Sequence, residues 1–507
     1  MMITQNIKRA VQINGNGIAT IFNGRQQTWS QFQQRVASLA GALHNVGVQA
    51  DDRVAILSLN SDRYLEYFYA LPWAGAVMVP MNTRWSVDEN IYALQDAGVE
   101  ILFVDDHFLQ QAQAIRQHTS QIKTFIYMGE GEKPAGMLGY EQLLRNSQPI
   151  PDAQRSDLDM VGIFYTGGTT GFPKGVMTTI KGFQYFAGLL LSQYGISADT
   201  RALHAAPMFH LADAYLNLPT TAAGATHVII PSFEPQVALK NIAEHRVTHT
   251  LIVPTMIKMI LESPLIDELD ISSLRRIIYG AAPITENLIK EAMEKMANVT
   301  FTQSYGQSEA VAVTMLNPED HDPTLGLLRS CGRAAPGVEI QIVDQKQNEL
   351  PRGEIGEIMI RSPNCMLGYW KKPDQTAKAL IDGAVLTGDV AYMDEKGYIF
   401  IQDRLKDMII TGGENVYSTE VENALSRHPA VADCAVIGLP DEKWGEIVHA
   451  VVILHPDKAV TEEELIVHCR SLIAAYKSPR GISFRMEPLP LSAAGKVMKL
   501  ELRKEYG

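Results

Sequence analysis

Helical and strand-like runs alternate through the first part of the chain, and this succession restricts the fold more than any other feature. Phe32, Val36, Leu39, Ala40 and Leu43 recur on one helical face, and Gly47 closes the pattern. Residues 54–59 form a buried-strand run, 63–73 read as a helix, and 77–81 read as another strand. Residues 251–253 and 276–279 look like further strands of the same kind. A βαβ succession implies a largely parallel sheet covered by helices, an α/β fold. A chain of 507 residues exceeds what one core usually serves, so two or more domains are expected.

The character changes after about Val338. Residues 338–343 and 357–361 read as short strands, and the turn Asp394-Glu395-Lys396-Gly397 before 398–401 suggests a hairpin. This β-rich subdomain ends at the charged break Asp403-Arg404-Leu405-Lys406-Asp407. Beyond it, Thr419-x-x-Glu422 and Thr461-x-x-Glu464 are capping-box patterns expected to open helices. Residues 434–439 and 448–454 between them look like strands. The expected division is a large core, 1–403, and a small α+β domain, 404–507.

Composition excludes several classes. The net charge of -13 argues against a general nucleic-acid binder. The cysteines Cys331, Cys365, Cys434 and Cys469 form no C-x-x-C pair, which argues against a zinc or redox motif. The first residues lack the apolar core of a signal peptide, and no apolar run is long enough to cross a bilayer. A cytoplasmic enzyme without an integral membrane segment is expected, working as a monomer or homodimer.

One loop carries most of the chemistry. After an apolar run, the chain reads Thr166-Gly167-Gly168-Thr169-Thr170-Gly171-Phe172-Pro173-Lys174. Glycines let backbone N–H groups approach an anion, threonine hydroxyls add donors, and Lys174 adds positive charge. This suits a polyphosphate. A Walker A loop would need Gly-Lys-Ser/Thr, which is absent, and Gly15-Asn16-Gly17 lacks the rest of a dinucleotide fingerprint.

Further segments follow in order: Pro207-Met208-Phe209-His210, Tyr279-Gly280-Ala281-Ala282-Pro283, Gln303 through Glu309, Thr387-Gly388-Asp389, Thr411-Gly412-Gly413-Glu414-Asn415, and Ser492-Ala493-Ala494-Gly495-Lys496. Together with the loop, they resemble the adenylate-forming superfamily of acyl- and aryl-CoA ligases, peptide-synthetase adenylation domains and firefly-type luciferases. The resemblance runs the length of the chain. It implies two half-reactions: attack of a carboxylate on ATP to give an acyl adenylate and pyrophosphate, then transfer of the acyl group to a thiol.

The resemblance also implies roles. Lys496 would bridge the acid carboxylate and the α-phosphate. Glu309, with Thr166, would hold Mg²⁺. The loop residues, Lys174 and Ser308 would contact the phosphates, and Asp389 and Arg404 the ribose. Tyr305 would stack on adenine opposite Gly280, Ala281, Ala282 and Pro283, with Gln303, Ser304, Gly306 and Ile401 nearby. The acid pocket would involve His210, Tyr215, Tyr279, Gly280, Gly306, Ala310 and Val311. His210 would gate a CoA tunnel walled by Gly412, Gly413 and Glu414, and Lys406 would be the hinge. Ser492 and Lys499 stand where relatives more often have Thr and Arg.

The pocket offers small apolar residues at 310–313 and one nearby acid besides Glu309, namely Asp213, whose direction the sequence leaves open. A hydrophobic acid is therefore favoured, and the reading settles on a ferulate-like hydroxycinnamate. The alternatives are a medium- or long-chain fatty acid, and a stand-alone adenylation enzyme that loads a carrier protein. The implied small molecules are ATP, Mg²⁺, coenzyme A and the carboxylic acid.

Overall fold

A computed structural model describes residues 2–166, 173–491 and 497–507. Two large sheets, of nine and eight strands, dominate its first two thirds. Their interiors are parallel: Arg53–Leu57 lies between Val77–Pro80 and Ile101–Val104, and Arg276–Gly280 between His249–Ile252 and Thr300–Gln307. The edges turn antiparallel, where Met160–Thr166 pairs with Lys174–Thr179 and Thr300–Gln307 with Ala310–Leu316.

Strand residues alternate between faces. Ile56, Met78 and Ile278 enter one core shared by both sheets, whereas Ala55 and Val79 enter a second and Ile277 and Tyr279 a third. The shared core is filled by the buried faces of helices Trp29–Asn45, Asp62–Ala74, Ile180–Gln193 and Leu211–Ala223. Trp29–Asn45 opens with a full capping box from Thr28 and Gln31. The fold is thus the α/β architecture that the sequence implied, and the strands and the helix given limits from the sequence lie within a few residues of them.

A five-stranded antiparallel sheet follows, built on Glu339–Val343, Gly356–Arg361 and Ala384–Met393. The hairpin at Asp394 is present: Ala384–Met393 returns as Ile399–Arg404. A separate five-stranded sheet, centred on Gly445–Leu454, packs with Ser418–Leu425 and Glu462–Leu472 around its own core.

One expected cap is corrected. Thr461 and Glu464 form the capping box, but Thr419 lies inside helix Ser418–Leu425, whose start has no side-chain cap. The Thr419 hydroxyl donates to the Gln402 carbonyl instead, and Glu422 accepts from the Val436 N–H. Tertiary partners outcompete the local box there. All four cysteines are free, with Cys331 and Cys469 buried.

Candidate active site

The site lies where the strand ends of both large sheets meet the β-rich subdomain. Thr166 and Lys174 face each other across the last rung of their hairpin, and the Thr166 hydroxyl lies 3.4 Å from the Lys174 carbonyl oxygen. The expected phosphate-binding residues Gly167, Gly168, Thr169, Thr170 and Gly171 lie outside the described residues, as does Lys496.

The Lys174 ammonium sits 4.3 Å from the centroid of the Tyr369 ring. The Tyr369 hydroxyl donates to Glu309 Oε1 at 2.8 Å. Glu309 occupies the turn between strands Thr300–Gln307 and Ala310–Leu316, beside Ser308, and its carbonyl accepts from the Met366 N–H at 2.8 Å. The expected metal carboxylate and the lysine of the loop hairpin are therefore joined through one tyrosine. Nothing in the local sequence around Tyr369 marks it, because the role depends on pairing of Gly368–Tyr369 with Lys174–Thr179.

The residues expected at the nucleoside also converge. Asp389, which is buried, accepts from the Tyr305 hydroxyl at 2.6 Å on one oxygen and from Arg404 Nε at 2.7 Å on the other. Asp389 and Arg404 are direct partners across antiparallel strands, and Ile401 pairs with Ala391 one bulge away. Burial alone would lower the Arg404 pKa, but Asp389, Tyr305 and Glu309 outweigh it and hold it above the ordinary value. Burial and Asp389 push the Tyr305 phenol well up, so it remains a neutral donor.

Gly280 is required by packing: a Cβ there would lie 2.1 Å from the Ser304 carbonyl oxygen. Ala281 next to it has φ 64°, a left-handed conformation held at a strand end. Ala282 and Pro283 follow in the connecting loop. Gln303 and Ser304 run alongside on the neighbouring strand, and Gln303 Oε1 and Ser304 Oγ are buried with no partner among the described residues.

In the acid region, His210 caps helix Leu211–Ala223, with Nδ1 accepting from the Ala212 N–H. Tyr215 packs edge-on to Phe186 with centroids 4.7 Å apart, and its hydroxyl accepts from the Ala312 N–H at 2.7 Å. Gly306 lies against that hydroxyl; a Cβ there would come within 2.5 Å of it. Ala310 and Val311 are buried beside this strand.

Two readings are settled by side-chain direction. Tyr279 is corrected as a pocket wall: its ring is buried on the opposite face of the sheet from Tyr215, and its hydroxyl pairs with His321 Nε2 at 2.9 Å. Alternation along strand Arg276–Gly280 puts it there. Asp213 is also buried, and its carboxylate meets His204 Nδ1 at 2.7 Å. His204 Nε2 in turn lies 2.9 Å from His227 Nδ1, and burial holds His227 neutral by pushing its pKa well down.

Beyond Arg404, the turn carrying Lys406 is exposed. Gly412 and Gly413 form the turn between Ile409–Thr411 and Glu414–Val416, with φ 61° and 84°. Both, and Glu414, are exposed. A cluster that sequence reading missed joins this region to the core. Ser418 donates from its N–H and hydroxyl to Asp403, and Lys499, largely buried, pairs with Glu422 at 2.7 Å and bonds Ser418.

The donor set fits Mg²⁺. No cluster of three or more His, Cys, Asp or Glu suited to a metal exists among the described residues. Mg²⁺ needs none when one hard carboxylate and substrate phosphates supply its oxygens, and Glu309 offers that carboxylate. When bound, the ion would neutralise phosphate charge.

Family models match on both parts of the chain: "AMP-binding enzyme" on residues 7–370 and "AMP-binding enzyme C-terminal domain" on 420–496. The chain is 35% identical over 500 residues to a feruloyl-CoA synthase from Amycolatopsis sp, covering 98% of each. It is 34% identical over 493 residues to the fatty acid–[acyl-carrier-protein] ligase ScoC of Streptomyces coeruleorubidus, covering 96% of this chain and 93% of that protein. Among solved structures, the anthranilate CoA ligase AuaEII in complex with anthranoyl-AMP superposes with a TM-score of 0.92 at 28% identity, covering 100% of this chain and 97% of that one. The chain belongs to the AMP-binding enzyme family, within the adenylate-forming superfamily of acyl- and aryl-CoA synthetases. It is an AMP-forming acid ligase; ATP and CoA are the substrates of the CoA ligases in this family, and Mg²⁺ is general to it. No helix among the described residues is long and apolar enough to cross a membrane.

Proposed function

We propose that this ligase activates a hydrophobic aryl acid of the hydroxycinnamate type, ferulate-like, and transfers it to CoA. The observation that carries the reading is the Asp213–His204 pair. The one carboxylate near the pocket that would hold a substrate ammonium is turned into the core and paired. An amino acid would bury an uncompensated charge there. The Tyr215 hydroxyl, tied to the Ala312 N–H, gives the pocket a rigid wall suited to a short planar acid. Similarity to a feruloyl-CoA synthase supports the same class.

In this reading Asp389 and Arg404 position the ribose, Glu309 the metal, and Lys174 the pyrophosphate. Lys496 offsets charge as the carboxylate attacks. Residues 404–507 rotate about Lys406 to bring Gly412 and Gly413 to the thiol. The test is pyrophosphate release over a panel of ferulate, fatty acids and amino acids, each with and without CoA. Ferulate should give the highest kcat/KM, and CoA should raise its turnover. A fatty acid leading the panel would overturn the aryl assignment, and turnover unaffected by CoA would point to a carrier-protein thiol.

A further inference from the structure

Tyr369 touches both charged groups described at the expected polyphosphate site, Lys174 and Glu309, and the catalytic reading gives it no role. Its ring lies under the Lys174 ammonium at 4.3 Å, and its hydroxyl donates to Glu309 Oε1 at 2.8 Å. The residue is built in rather than adventitious: it is 6% exposed, it pairs with Val176 on the loop hairpin, and its N–H donates to Thr376 Oγ1 at 2.9 Å. Glu309 itself sits on a two-residue turn, where a carboxylate would otherwise sample several rotamers.

We infer that Tyr369 is the positioning residue for the metal carboxylate: its hydroxyl holds Glu309 Oε1, directing the other oxygen toward the cation. This rests on the reading of Glu309 as the Mg²⁺ ligand. The Tyr369 hydroxyl engages Oε1 alone of the two carboxylate oxygens. A hydrogen-bond partner of a ligating carboxylate restricts its orientation. The ring serves Lys174 separately, through its face, so the two contacts can be removed one at a time.

The experiment is Mn²⁺ binding to the enzyme–ATP complex without carboxylic acid, read by water-proton relaxation, for wild type, Tyr369→Phe, Glu309→Gln and Glu309→Asp. Tyr369→Phe keeps the ring and loses only the hydroxyl, so Mn²⁺ affinity should fall about 10- to 100-fold. Pyrophosphate affinity measured without metal should stay at the wild-type value. Glu309→Asp draws the carboxylate one methylene away from the hydroxyl and should lose Mn²⁺ affinity similarly, which tests the contact should Tyr369→Phe fail to fold. Wild-type Mn²⁺ affinity in Tyr369→Phe, with Glu309→Gln impaired, would overturn the inference alone. Wild-type affinity in Glu309→Gln would overturn the metal reading and the inference with it.

Discussion

Asp389 and Arg404 face each other on paired antiparallel strands, with Arg404 Nε 2.7 Å from one carboxylate oxygen of Asp389. Tyr305 takes the other oxygen. Both oxygens are thus engaged within the protein, and a ribose hydroxyl bound here, as proposed, would share or displace one of these donors.

That arrangement sets the expected outcome of Asp389→Asn. The shape is kept, but a charged acceptor becomes neutral and Arg404 loses its counter-ion. Hydrogen bonds to charged groups contribute about 1.5–3 kcal/mol, so KM for ATP should rise roughly 10- to 100-fold while KM for the acid changes little. Initial-rate kinetics with each substrate varied in turn measure both. An unchanged ATP KM would remove Asp389 from the nucleoside site.

What the sequence showed and what it hid follow from interaction range. The βαβ succession was legible because the apolar runs at 54–59 and 77–81 flank a helical stretch, and such neighbouring runs pair in space. Asp389, Arg404 and Tyr305 were nameable because they stand in motifs, although their mutual hydrogen bonds were not. Tyr279 was misread because a motif marks position and not direction; strand alternation turns its ring away. Thr419 was misread because a local capping pattern lost to the Gln402 carbonyl, seventeen residues back. Tyr369 and the Asp403–Ser418–Lys499 cluster were invisible because each depends on pairing between distant segments.

That cluster makes a second prediction. Burial alone would lower the Lys499 pKa, but Glu422 and Asp403 outweigh it and hold the ammonium above its ordinary value. Lys499→Met strips both carboxylates of their cation. The small domain should lose about 2–3 kcal/mol, less than for a fully buried pair because the side chains retain some solvent contact. Hydrogen exchange in helix Ser418–Leu425 should accelerate accordingly. Adding Glu422→Leu should recover part of the loss, since an apolar pair tolerates burial better than a lone charge. No recovery in the double variant would show that the pair is not the source.

His249 predicts an acid limb in stability. It is buried between the Tyr194 carbonyl and Thr248, and burial is the main reason its pKa falls to about 4. Arg276 and Arg275 push the same way; the Tyr194 bond and Asp199 oppose them. The unfolded chain binds a proton below about 6.5 and the folded chain does not until about 4. Stability is therefore intact above pH 6.5 and falls as pH drops toward 4. The share of this one residue is about 2 kcal/mol between pH 8 and pH 5. Urea unfolding at the two pH values should show His249→Gln losing less than wild type by about that amount. Equal losses would mean that His249 titrates normally in the fold.

The glycine pair separates backbone from tunnel. A Cβ on Gly412 would meet the Trp444 ring at 2.8 Å, whereas one on Gly413 meets nothing within 4 Å. Both have positive φ, so any side chain costs about 1–2 kcal/mol of strain. Gly412→Ala adds the clash with Trp444, whose carbonyl already anchors the Gly412 N–H at 2.8 Å, and should destabilise the small domain more than Gly413→Ala does. Gly413→Leu then has room to fold. Its added bulk projects where the thiol arm would pass, so pyrophosphate release from acid and ATP should stay near wild type. Thioester formation from preformed adenylate and CoA should fall at least tenfold. Measuring the two half-reactions separately decides the matter: normal thioester formation in Gly413→Leu would mean that the turn faces solvent in the second step and that the thiol enters elsewhere.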